Sequence, residues 1–135
     1  MPTIFTRIIN GEIPCYKIAE DKNFFAFLDI NPLKLGHTLV IPKKEVDYIF
    51  NVDETTLSLM LPFCKKVAEA IKKAIPCSRI GVTVIGLEVP HAHIHLIPIS
   101  VMSDMNFANP KLSLSRETMT QTASAIRTFI PNDLL

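Results

Sequence analysis

The chain has 135 residues, 48% of them hydrophobic, and a formal net charge of +1. That length suits one domain with a sizeable buried core, and the near-neutral charge leaves no broad electrostatic footprint for nucleic acid or a membrane surface. No apolar run approaches the roughly 20 residues of a spanning helix, no basic-then-apolar leader opens the chain, and Cys15, Cys64 and Cys77 fit reduced thiols better than a disulfide framework. The expectation is a single domain over residues 1–135, cytoplasmic, with neither a nucleic-acid nor a membrane partner.

Thr3 to Asn10 is predicted as a short helix, capped by Thr3, apolar at Ile4, Phe5, Ile8 and Ile9, and stopped by Gly11. Tyr16–Ala19 and Asn23–Leu28 read as strands joined by a turn at Glu20-Asp21-Lys22. Asp29 closes the second strand, where an aspartate is most often a turn former. Asn31-Pro32 opens a loop that Gly36 ends, and His37–Ile41 is the next strand. Asp53 to Ala74 is the long helix, with Leu57, Met60, Leu61, Cys64, Val67, Ala68 and Ile71 on its apolar face. Pro62 is expected to kink it or split off its first turns. Arg79–Ile85 reads as a strand broken by Gly86, Met102–Leu112 as loop, and Ser115–Phe129 as a last helix buried through Met119, Ala123, Ile126 and Ile130. The pattern predicts an α+β fold, an antiparallel sheet of about five strands with one long and two shorter helices.

Between Gly86 and that loop lies Pro90-His91-Ala92-His93-Ile94-His95-Leu96-Ile97-Pro98, with three of the chain's four histidines at every second position. Such alternation is a strand pattern, since side chains two apart share a face. His91, His93 and His95 are expected on one surface, Ala92, Ile94 and Leu96 in a core, and the prolines at the strand ends. One such histidine would most often be structural. Three point to chemistry, at a metal or at phosphate. With about 3.3 Å per residue, the outer two Cα atoms lie roughly 13 Å apart, which suits an extended phosphate better than one ion. A metal held by two of them and a ligand from elsewhere stays open as the lesser alternative.

This stretch resembles the His-φ-His-φ-His-φ-φ motif (φ apolar) of the histidine triad, or HIT, nucleotide hydrolases and transferases, in particular their Hint-like bacterial branch. Three more segments are similar in the same order: Ile4–Ile9 with Glu12-Ile13-Pro14, Phe27–Pro32, and Gly36–Lys44, so the resemblance spans residues 4–98. It implies a homodimer acting on a purine nucleotide, without a cofactor or metal, by cleaving a phosphoramidate or phosphoanhydride bond at the α-phosphate. It implies that His93 attacks phosphorus to form a nucleotidyl-histidine that water releases, a task suited to an imidazole with a reference pKa of about 6.5. By the same resemblance His91 orients His93 and fixes its tautomer, while His95 and His37 donate to phosphate oxygens. Asp29, eight residues before His37, would grip both ribose hydroxyls. Ile4, Phe5, Ile8, Phe27, Ile30 and Leu39 would contact the substrate around its base, and the backbone of Glu88 and Val89 would hold phosphate.

Two departures from the family pattern matter. Thr3 and Thr6 stand where many relatives carry a zinc-binding Cys-x-x-Cys pair, so no such zinc is expected, hydroxyls being poor ligands beside thiolates. The segment before the triad is shorter than in many relatives, with Leu87 where their Gly-Gln carries its glutamine and no clear asparagine, and an inward Glu88 carboxylate would repel phosphate unless protonated. A nucleotidyltransferase using the same intermediate, and a nucleotide-binding regulatory protein with weak catalysis, are the alternatives left open.

Overall fold

The computed structural model describes residues 2–135. Strands β1 (Lys17–Glu20), β2 (Phe24–Leu28), β3 (Thr38–Pro42), β4 (Arg79–Thr83) and β5 (Ile94–Ile99) form one antiparallel sheet in the order β1-β2-β3-β5-β4. Helices α1 (Ile4–Ile9), α2 (Glu54–Ala74) and α3 (Arg116–Arg127) complete it, with short 3-10 turns at Ile49–Asn51, Met102–Met105 and Asn132–Leu134. No described helix is long and apolar enough to cross a membrane.

β2 reads Phe-Phe-Ala-Phe-Leu and is buried at all five positions, so both faces of the sheet must be covered. Phe24, Ala26 and Leu28, with Val40, Ile94 and Leu96, pack under Met60, Cys64, Val67 and Ile71 of α2 and Met119, Ala123 and Ile126 of α3. Burying each large side chain of this layer contributes about 1.5–3 kcal/mol. The other parity, Phe25, Phe27, Leu39 and Ile41, meets Phe5 of α1 in a second, smaller cluster. His95 pairs with Leu39 across β3 and β5, which places it on that second face. The sheet thus separates a helix-covered core from the surface that carries the histidines.

Asp53 caps α2 by accepting from the Thr56 N–H at 2.9 Å. Pro62 does not split off the first turns of the helix, which is one element from Glu54 to Ala74. Pro62 and Ser58, whose carbonyl loses its partner, both lie on the exposed side, so water satisfies what the proline removes. Leu61 is exposed rather than buried, and Phe63 and Ala70 take core positions instead. The triad is a second correction, since only His95 belongs to a strand. β5 begins at Ile94, and His91 and His93 lie in the extended approach to it. There the His91 N–H donates to Val89 O and the Ala92 N–H to Val46 O, at 2.8 and 2.7 Å, outside the sheet ladder. Pro98, expected to bracket the strand, lies within it opposite Ile80, beyond the reach of β3.

Candidate active site

Each histidine of the site has its proton placed by its neighbours. At His37, Nδ1 accepts from the Leu33 N–H at 3.0 Å, so Nε2 must carry the hydrogen. That hydrogen goes to His95 Nδ1, 2.9 Å away, which leaves His95 with an Nε2–H donor. Gly36, at φ +91°, makes the turn that sets His37 in place, a backbone region that glycine enters without strain. At His91, Nε2 donates to Pro42 O at 2.8 Å, and Nδ1 accepts from the Thr3 hydroxyl, also at 2.8 Å. His93 Nδ1 donates to the His91 carbonyl at 2.7 Å. Its Nε2 therefore keeps its lone pair and has no protein partner among the described residues, so one ring nitrogen of the four histidines is left as a nucleophile.

His91 meets His93 through its backbone carbonyl, both of its ring nitrogens being engaged elsewhere. Both nitrogens of His37 are also committed, Nδ1 to the Leu33 N–H and Nε2–H to His95. Burial holds His37 down to about pKa 3 and His95 to about 4, with neighbouring histidines reinforcing both shifts. Burial also lowers His91. These rings are neutral donors at neutral pH. His37 Nε2 lies 3.6 Å from Asp29 Oδ2, and with the imidazole neutral this contact is not an ion pair.

Three clefts border His93. An apolar one of about 260 Å³ is lined by all nine residues expected to contact substrate: Ile4, Phe5, Ile8, Phe27, Asp29, Ile30, Leu39, Glu88 and Val89. The Phe5 ring stands edge-on to His93 at 5.1 Å between centroids. A second, of about 270 Å³, is lined by Asp29, Asn31, Glu88, His95, Phe107 and Lys111. A third, of about 470 Å³, lies toward Tyr48, Phe50 and Leu87. Asp29 serves its turn as well: Oδ1 accepts from the Asn31 N–H at 2.9 Å, while Oδ2 faces His37. Burial raises its pKa against that hydrogen bond. Phe107 and Lys111 escaped the sequence reading, because one aromatic and one lysine in a polar loop carry no periodic signal.

Asp29, His37 and His95 bring potential ligand atoms within 4.8 Å of one another. Binding through His37 Nε2 would move the proton to Nδ1, against the Leu33 N–H, so the trio does not fit an ion. At the Thr3–Thr6 pair, the Thr6 hydroxyl and the Thr3 N–H both donate to Glu45 Oε1, at 2.7 and 2.8 Å. The Thr3 hydroxyl is spent on His91. Neutral hydroxyls already bonded in this way do not fit a zinc site either.

An antiparallel sheet presenting alternate histidines beside an apolar cleft defines the histidine triad class. The HIT domain family matches residues 10–101, and the chain belongs to that family. An uncharacterized HIT-like protein of Borreliella burgdorferi is 43% identical over 70% of this chain and 73% of its own. An adenosine 5′-monophosphoramidase of Schizosaccharomyces pombe is 37% identical over 73% of this chain and 74% of its own. The crystal structure of a Hit-like protein involved in cell-cycle regulation from Bartonella henselae superposes with a TM-score of 0.79. It shares 33% identity and covers 95% of this chain and 96% of that one.

Proposed function

We propose that this protein is a hydrolase that cleaves a purine nucleotide at its α-phosphate, through a covalent intermediate on His93 and without a metal. The observation that carries the reading is the free Nε2 lone pair of His93, fixed by the hydrogen bond from Nδ1–H to the His91 carbonyl. Nε2 attacks phosphorus as the bond to the leaving group breaks, and the leaving group departs with the electron pair, an amine taking up a proton from solvent as it leaves. The ring becomes cationic, and the His91 carbonyl then accepts a charge-assisted bond, stronger than the neutral one it replaces. The His95 Nε2–H donates to a phosphate oxygen. Water next attacks phosphorus, its proton passes to solvent, and the P–N bond breaks to restore His93 and release the mononucleotide. The base rests in the apolar cleft with Phe5, Phe27 and Leu39.

The activity named for the Schizosaccharomyces pombe relative supports a nucleotide substrate. The expected outcome of a substrate panel is release of the 5′-mononucleotide from a nucleoside phosphoramidate or a dinucleoside polyphosphate, identified by chromatography. No mononucleotide from any member would overturn the reading. Residues 1–135 act in it as one domain, in a reducing cytoplasm that suits three free thiols. They pair as a homodimer along β4, a sheet-edge strand with exposed Val82, followed by exposed Val84 and Ile85.

Asp29 tests the nucleotide part of the reading through the ribose. A carboxylate accepts both hydroxyls of a diol. Asp29→Asn keeps an oxygen for the Asn31 N–H, so the turn survives while the charge is lost. Wild type is expected to bind AMP about ten- to a hundredfold more tightly than dAMP, and Asp29→Asn to lose most of that preference. The two losses should not add, because both break one contact. Equal wild-type affinities would make Asp29 a turn residue only.

A further inference from the structure

The segment after β5 brings one cation to the site that the proposed reaction leaves without a task. Asp104 pins the start of this segment, accepting from the Ser100 and Val101 N–H groups at 2.8 and 3.0 Å and pairing with Lys34 at 2.9 Å. Its far end is tied to the loop before His37, where the Leu112 N–H donates to Pro32 O at 2.8 Å. Between these anchors the Phe107 ring covers the histidine pair, with its centroid 5.0 Å from His95 and 6.2 Å from His37. Lys111 Nζ donates to Phe107 O at 2.6 Å and to Asn109 O at 3.5 Å, and it stands 5.5 Å from the Phe107 ring centroid. An ammonium has three hydrogens to donate, so one remains for a ligand.

Of the three clefts that border His93, only the second is lined by a lysine or arginine, and that residue is Lys111. Among the described residues no carboxylate oxygen lies within 4 Å of its ammonium. Asp29 and Glu88 both border the apolar cleft and the second cleft, so their charges do not distinguish the two sides of the phosphate. Lys111 borders the second cleft alone. Lys111 is exposed, but two carbonyl acceptors hold its ammonium at the cleft, where a full positive charge favours an anion.

We propose that Lys111 is the specificity-determining residue of the leaving-group side, its ammonium selecting nucleotides whose leaving group carries a further phosphate over those that lose a neutral amine. This rests on the hydrolase reading above and names the substrate class for it. The test is binding of AMP and of α,β-methylene-ADP, whose carbon bridge prevents cleavage, measured by calorimetry on the full chain. The ratio of the two affinities is the readout. In wild type the diphosphate analogue is expected to bind more tightly. Lys111→Met should reduce that ratio about tenfold, and Lys111→Arg should retain it. If both ligands weaken equally in Lys111→Met, the ratio stays fixed, Lys111 merely caps the Phe107 carbonyl, and the proposal falls. An unchanged ratio with unchanged affinities overturns it as well. If wild type binds AMP but shows no preference for the analogue, the specificity claim fails while the nucleotide reading stands. If wild type binds neither ligand, the nucleotide reading fails and this proposal goes with it.

Discussion

Replacing His93 by Ala is expected to lower turnover at least about a thousandfold, with nucleotide affinity changed by no more than about tenfold. The asymmetry follows from the hydrogen bonds. His93 is the histidine whose Nε2 is left unprotonated and unpartnered, so no neighbour can take over its attack. Its share of ground-state binding, by contrast, is that of one ring among many cleft walls. Because the ring packs against Phe5, alanine also leaves a void that could loosen the site. His93→Asn separates the two effects, since its amide can still donate to the His91 carbonyl while offering no nucleophile. Both variants should therefore be inactive and still bind AMP. Near-normal turnover in either, with any substrate that wild type consumes well, would remove His93 from the chemistry.

Much of the frame was legible because it follows from local pattern. The turn at Glu20-Asp21-Lys22 located the hairpin of β1 and β2, turn and cap residues bounded α1 and α2, and period-three-and-four spacing chose Met119, Ala123 and Ile126 on α3. What the sequence hid was set by contacts between distant residues. The period-two histidines read as one strand, yet the ladder starts only at Ile94, because Val46 takes the Ala92 N–H. No rule of spacing announces that bond. The Thr3–His91 bond joins residues 88 apart in sequence, and the relay from Leu33 through His37 to His95 likewise exists only after β3 and β5 have paired. The same holds for Phe107 and Lys111, which a short anchored segment carries back over the histidines. That Pro62 leaves its helix in one piece was hidden for a different reason. Its cost depends on whether the freed carbonyl faces water, which the helical pattern at Ser58 suggests but does not fix.

The second large effect is loss of stability in mild acid. His37 and His95 are held neutral by burial, at about 3 and about 4, whereas in the unfolded chain they titrate near 6.5. Between those values the unfolded state binds protons that the fold refuses, so stability rises with pH there and is lost as pH falls from about 6.5. With about 1.4 kcal/mol per pH unit, each histidine costs about 2 kcal/mol by pH 5, or about 4 kcal/mol for the pair. His91, also lowered by burial, acts in the same direction. Asp29 acts in the opposite one, since its raised pKa lets the folded state take up a proton first. The lowered carboxylates, Glu20 beside Lys17 and Lys43 and Asp104 beside Lys34 at about 2, lose their contributions only once pH drops through the ordinary carboxylate range. From pH 7.5 to 5 the histidines therefore outweigh the lowered carboxylates. Urea denaturation across it should show the unfolding free energy falling by about 4 kcal/mol, and His37→Gln should reduce that fall by roughly half relative to its own value at pH 7.5. A flat profile in wild type would mean that His37 and His95 accept protons in the folded state as readily as in the unfolded one. The neutral relay that fixes the His95 donor would then be wrong.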